Sequence, residues 1–401
     1  MTVSYSKDIV TSYGIGGCFL RLIFRWRASV YRLIYQEFLV YIIAWYVVSF
    51  IRRFALSVEQ KQIFDMASLA CERYANIFPL AWVLGFYVAI VYDRWWNQYC
   101  SIPWTTTLSL RVAAAIQGQS EVERLIRRTI LRYANLTILL TFKKVSPEIE
   151  EVYPTLDSFI DQGLLSIEEK KILEKQALQI DEWMERDKKF TEKNDDNGVG
   201  ARSEKISLEK DVSEELLNAK EKNMVDTKNV NPDYFLPMVW ATKIVTKARA
   251  DGQIGSDYSM NGIMDEIISI RSSCAILLRY DGICVPLVYT QVVTIAVYSF
   301  FLSTLVGRQF RQGDTDLYFP LFTTLQFILY VGWLKVAETI LNPFGGDDDD
   351  FELHRISTYN RRVGYQIVDN DSTSEQPQMT RDKHWDIKSK DPGENHNYIT
   401  T

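Results

Sequence analysis

The stretch CERYANIFPLAWVLGFYVAIVYDRWWNQY, residues 71–99, decides the fold. Its middle, Tyr74 to Tyr92, runs 19 residues without a charge. That is close to the roughly 20 residues an α-helix needs to cross a hydrocarbon core. The sequence predicts one helix here, with Pro79 and Gly85 inside it, where each permits a kink or the close approach of a neighbour. Phe78, Trp82 and Phe86 recur every four residues. They fall along one slowly drifting face, over about 12 Å of axis. Two readings of that stripe stay open: large rings packed against neighbours, or the wall of a pore.

Three other stretches match it in length and apolarity: Leu33 to Ile51, Cys284 to Gly307 and Leu317 to Leu334. Only the first carries a charge, Glu37. A soluble fold rarely needs four such runs, so the pattern predicts an all-α membrane protein with four spans per chain. At 401 residues the chain has room for more. Residues 100–186 and 231–283 show helical spacing with charges between apolar positions, and read as one cytosolic helical region in two pieces. Ser57 ahead of Glu59 and Gln60 marks a helix start in a short outer loop between spans one and two. SPEIEEV and SIEEKKILEKQAL begin in the same way, and Gly252 marks a helix stop.

Residues 1–32 form a cytosolic N-terminal segment, in which RLIFRWRASVYR (21–32) reads as a basic amphipathic helix at the inner membrane interface. Residues 1–20 lack the basic and apolar regions of a cleavable signal peptide, so the first span is expected to act as its own targeting signal. Lys7, Arg21, Arg25, Arg27 and Arg32 precede that span and favour a cytoplasmic N-terminus; Arg52 and Arg53 beyond it oppose this. Four spans then put both termini and the long central segment in the cytoplasm. Residues 187–230 are charged and poor in aromatics, and read as a flexible insert. Residues 356–401 read as a disordered tail.

Composition removes several classes. Three histidines and five scattered cysteines offer no zinc signature and no disulfide framework. The formal net charge of −6 and the lack of a basic tract argue against nucleic acid. No nucleophile elbow, phosphate loop or paired catalytic carboxylates point to an enzyme.

The segment 342–355 opens NPFGGDDDDFE. Pro343 cannot continue a helix, so the fourth span should end near Asn342. The last carbonyls of a helix lack intrahelical partners and carry the negative end of its dipole. A sharp NPFGG turn would let Asp347 to Asp350 fold back within reach of the carbonyls around Thr339 and Asn342. Carboxylates with backbone carbonyls make a calcium site, although the spacing is not that of an EF-hand. A solvated acidic run remains the alternative.

MTVSYS, FPLAWVLGFYV, RWWNQYCSIPW, RRTILRYANL, PLVYTQVVTIAVYSFFLSTLVGRQF and YVGWLKVAETILNPFGGDDDDFE together make the chain resemble the bestrophins. The resemblance implies a homopentamer in the lipid bilayer, with one axial pore that conducts chloride and is opened by cytosolic calcium. Other monovalent anions such as bicarbonate are expected to pass. It places the pore neck within residues 33–99, at Phe78, Trp82 and Phe86. The family commonly has an aliphatic residue and two phenylalanines there, so Trp82 is a departure. A second constriction falls at Tyr258. The calcium ligands implied are the side chains of Asp347 and Asp350 and the carbonyls of Val10, Thr339 and Asn342. Residues 284–341 hold spans three and four. The plasma membrane is the expected location. The competing class is a membrane scaffold or regulator of another channel, with the insert and tail as docking arms.

Overall fold

The computed structural model describes residues 22–369, apart from Arg27, Phe78, Gln119, 178–233, 312–317 and Asp348. The regular elements among the described residues are helical. In chain order they are α1 (Val30–Phe50), α2 (Val58–Ile77), α3 (Leu80–Cys100), α4 (Thr106–Ala115), α5 (Glu121–Val145), α6 (Pro147–Val152) and α7 (Leu156–Asp161). A helix over 167–177, α8, is followed by α9 (Leu236–Ala250), α10 (Asp257–Gly282), α11 (Leu287–Gly307), α12 (Leu321–Leu341) and α13 (Leu353–Asp369).

Two separate hydrophobic clusters organise them. The first joins α1, α2, α3, α11 and α12 through Ile34, Leu84, Tyr87, Val297, Phe301, Phe327 and Val331. Three of its helices are long and apolar enough to cross a membrane: α1 with its π-helical extension to Ala55, α11 and α12. Helices α2 and α3 satisfy the same test together, as a pair bent by 41°. The second cluster centres on α5, whose residues Ile130 to Phe142 are mostly buried all round. A helix apolar on every side must be enclosed. Helices α9, α10 and α13 pack on α5, and α13 also covers α4. The acidic first turn of α5 (Glu121, Glu123) and its basic last turn (Lys143, Lys144) match the helix dipole.

Several expectations change here. Residues 71–99 are not one helix. Helix α2 ends at Ile77 and α3 begins at Leu80, with Pro79 at its start in place of kinking a continuous helix. Proline lacks the N–H that an interior position would donate, so it sits more cheaply at a helix start. The short outer loop is instead the 20-residue helix α2. Its start is a capping box: the Ser57 amide donates to Gln60 Oε1 (3.0 Å) and the Gln60 amide to Ser57 Oγ (3.4 Å). The basic amphipathic helix over 21–32 does not form as one piece. Ala28 sits at φ 55° and Ser29 caps α1, its Oγ accepting from the Arg32 amide at 3.4 Å. Residues 353–369, expected to run into the disordered tail from 356, form the 17-residue helix α13. Gly252 at φ 77° does end α9. The remainder of the N-terminal segment, the insert 187–230 and residues 370–401 lie outside the described residues.

Candidate functional site: the exposed face of α3 and the acidic turn after α12

Helix α3 buries Leu80, Leu84, Tyr87 and Val91 against α11 and α12. The Tyr87 hydroxyl donates to Thr290 Oγ1 at 3.3 Å. Every fourth residue on the opposite face is turned outward: Trp82 is 66% exposed, Phe86 52% and Ile90 48%. The Trp82 and Phe86 rings meet edge to face, with centroids 4.5 Å apart and planes at 76°, an arrangement aromatic quadrupoles favour. Within one chain these rings are therefore not core packing. Phe78 lies outside the described residues. The N-terminus of α3, which has no side-chain cap, begins two residues before Trp82.

The other end of α3 is anchored. The Arg94 guanidinium donates to the carbonyls of Ile283 (2.8 Å) and Tyr280, and lies over the Tyr280 ring at 5.2 Å. This ties α3 to the C-terminus of α10. Trp95 and Tyr99 stack nearly parallel, at 11°. Tyr258, at the first turn of α10, is 89% exposed. Its neighbour Asp257 pairs with Arg249 at 2.6 Å.

Helix α12 ends at Leu341 and Pro343 follows, as the sequence predicts. The chain then doubles back. The Phe351 amide donates to the Pro343 carbonyl (2.9 Å), and the Asp350 amide to the Asp347 carbonyl (3.2 Å). The Asp347 amide donates to Asp350 Oδ2 at 2.8 Å. Asp350 is 6% exposed, whereas Asp347 and Asp349 are exposed. A Cβ at Gly345 would sit 2.9 Å from Asp350 Oδ2, so glycine is what leaves room for that oxygen. A Cβ at Gly346 would meet nothing within 4 Å. Burial, then the charges of Asp347 and Asp349, push the Asp350 carboxyl above its usual range, against the Asp347 amide. A cradle that strains its own carboxylate in this way fits a cation. Asp350 Oδ2 meets the Asp347 amide, while Thr339 stands one turn back on α12 with its hydroxyl donated to the Lys335 carbonyl (2.9 Å). Val10 lies outside the described residues. No group of three His, Cys, Asp or Glu side chains forms a metal cluster among the described residues.

Sequence reasoning missed Arg94, Phe351 and the α13 clamp. Asn360 Nδ2 donates to the Pro103 carbonyl (3.0 Å), and buried Arg127 donates to the carbonyls of Ile116 (2.8 Å), Gly118 (2.7 Å) and Val368 (3.1 Å). The Asn360–Pro103 and Arg127–Val368 contacts join residues far apart in the chain, and no local signal marks them.

The two clusters and this site define a helical membrane protein that presents large rings outward from a bent helix pair. The family model described as "Bestrophin, RFP-TM, chloride channel" matches residues 1–186 and 206–370. The chain is 36% identical to human bestrophin-3 over 399 residues and 37% identical to pig bestrophin-1 over 399 residues. These alignments cover 98% of this chain, and 52% and 59% of the two relatives. This chain belongs to the bestrophin family. It spans roughly half to three-fifths of the length of those relatives. A mutant of a bacterial bestrophin homologue from Klebsiella pneumoniae has the same fold, at TM-score 0.51 and 15% identity, over 84% of this chain and 99% of that one. The family match omits 187–205 but resumes at 206, so only the first part of the expected insert lacks a family counterpart.

Proposed function

We propose that this chain is one subunit of a homopentameric anion channel opened by cytosolic calcium. The observation that carries the reading is the outward pair Trp82 and Phe86 on a helix whose other face is fully packed. Large apolar patches on a packed scaffold mark contact with something else. Five copies of α3 around an axis turn that pair, with Phe78, into rings around a narrow neck.

In this reading α1, the bent pair α2–α3, α11 and α12 make four crossings, with both termini cytoplasmic and the plasma membrane as the site. Ring edges carry partial positive charge. Edges turned to the axis, together with the uncapped start of α3, favour a weakly hydrated anion such as chloride, and bicarbonate with it, without a fixed lysine. An apolar constriction also switches by dewetting, so small ring movements gate it. Tyr258 forms the second constriction. Calcium would be held by Asp347, Asp350 and the carbonyls of Asn342, Thr339 and Val10, and would supply charge that relieves the crowded carboxylates. Asp350 turns inward to it and Gly345 leaves the space. Calcium opens the pore to the extent that it binds the open arrangement more tightly.

The test is current through purified protein in a planar bilayer, titrated with calcium on one side. Chloride current that rises with calcium and is lost in Asp350→Ala supports the reading. No conduction by the purified protein returns it to the class of scaffold or regulator.

A further inference from the structure

We propose that Phe351 is the positioning residue through which the acidic turn sets the orientation of the pore helix α3. The inference rests on the channel reading above. Phe351 directly follows Asp350, and its amide is bonded to the Pro343 carbonyl at 2.9 Å, so its backbone moves with the turn. Its ring leaves the turn and packs on α3: centroids lie 5.4 Å from Trp95 and 5.6 Å from Tyr99. Phe344, fully buried inside the turn, backs it at 5.7 Å. Trp95 and Tyr99 are one helical turn apart and stack at 11°, so together they offer Phe351 a flat wall.

Each side of this contact is stiff. On one side, the Phe351 carbonyl accepts the Leu353 amide at 2.8 Å, where α13 starts, and α13 is locked to the second cluster by Arg127 and Asn360. On the other, α3 runs unbroken from Leu80 to Cys100. Arg94, held by two carbonyls of α10, lies between the Phe351 contact and the rings. At 1.5 Å per residue Tyr99 stands about 7 Å beyond that anchor and Trp82 about 18 Å before it. A displacement at Tyr99 about the Arg94 anchor therefore appears roughly twofold larger, and reversed, at Trp82. Asp347 and Asp350 would hold the cation, and any change in their spacing would reach the wall through the Phe351 ring, because its amide is fixed to the Pro343 carbonyl. Packed interfaces respond in discrete steps, which suits a switch.

The experiment measures two quantities on the purified chain: calcium binding by calorimetry, and calcium-dependent chloride current in a planar bilayer. Phe351→Ala is expected to bind calcium within about threefold of wild type, while half-activation shifts at least tenfold or the calcium-dependent increment disappears. Phe351→Tyr, which keeps the ring, is expected to restore activation, and Tyr99→Ala to reproduce the split from the α3 side. If Phe351→Ala does not fold, Phe351→Leu keeps the apolar bulk and must show the same split. Activation of both variants within threefold of wild type overturns the inference and leaves the channel reading standing. So does a parallel loss of binding and activation, which makes Phe351 part of the turn alone. A wild-type chain without calcium-dependent current removes both.

Discussion

Gly307→Ala tests a close backbone approach between α11 and α2. Gly307 ends α11, and a Cβ there would lie 2.9 Å from the Glu72 nitrogen and 3.2 Å from the Cys71 carbonyl carbon and Glu72 Cα. All three are backbone atoms of α2, so no side chain can rotate away. Carbon contacts settle at about 3.5–4.0 Å, so the helices must part by roughly half an ångström or more. The seam also holds the bond from Ser68 Oγ to the Gly307 carbonyl, 3.1 Å, which parting stretches. Overpacking of this kind costs about 1–3 kcal/mol. Alanine returns only a few tenths of the roughly 1 kcal/mol helix preference, because position 307 is the last residue of its helix. The net expectation is a loss of about 1–2 kcal/mol. Gly85 inside α3 is the control: a Cβ there meets nothing within 4 Å, and the preference of about 0.5–1 kcal/mol for alanine applies in full. Thermal unfolding in detergent, followed by circular dichroism, reads both. The melting temperature should fall for Gly307→Ala and hold or rise for Gly85→Ala. A Gly307→Ala protein as stable as wild type refutes the α2–α11 approach.

Other expectations concern charge and the rings. Burial alone raises the Glu169 carboxyl, but donors from Arg132 (2.7 and 2.8 Å), the Tyr133 hydroxyl (2.6 Å) and the Ser166 amide (2.8 Å) more than offset it and bring it to about 2. Its folded value lies below the unfolded value of about 4.3, so its stabilisation is complete above about pH 5 and is lost as pH falls toward 2. The shift corresponds to at most about 3 kcal/mol, and partial solvent access reduces that to about 1–2 kcal/mol. Unfolding measured from pH 7 to 3 should therefore show an acid limb that flattens in Glu169→Gln; an unchanged limb refutes the assignment. Arg127→Met strands three carbonyls that the guanidinium now satisfies and should cost about 3 kcal/mol, seen as early proteolysis at α13. Equal protease resistance counts against the clamp. Trp82→Ala should raise single-channel conductance and relax selection among anions; unchanged conductance removes Trp82 from the neck.

The helical membrane architecture was legible because apolar runs of spanning length have few alternatives. The break between α2 and α3 was not, because proline fits both a kinked helix and a helix start, and only the packing of α2 along α11 chooses. Helix α13 escaped notice for a different reason. Its buried face is Leu353, Ser357, Asn360, Gly364 and Val368, where Asn360 Oδ1 accepts from the Thr105 amide and its Nδ2 donates to the Pro103 carbonyl. Leu353, Ile356, Tyr365 and Val368 do fall on one side at helical spacing, but the low mean hydropathy of the segment lets it read as tail. Trp82 and Phe86 were readable from their spacing, and their outward direction was left open until the buried side of α3 was known. Asn342 and Asp350 were legible as a turn after Pro343. Phe351 looked like one more apolar residue, because Trp95 and Tyr99 lie some 250 positions away.

Glu37 has a consequence for how this protein is made. Its carboxylate pairs with Lys335 at 2.9 Å and accepts from the Tyr298 hydroxyl at 3.2 Å, 261 positions later in the chain. Tyr41 likewise waits for Thr304 (2.9 Å), and the Trp45 carbonyl for Gln309 (3.3 Å). At roughly 5–20 residues per second, Lys335 leaves the ribosome about fifteen seconds to a minute after Glu37. The first apolar helix is thus made before these partners exist, and an unanswered acidic side chain in a spanning helix costs up to about 2.5–3.5 kcal/mol, the full figure applying only at the helix centre. The polar groups of the first apolar helix therefore find their partners only once the C-terminal half of the chain has been made.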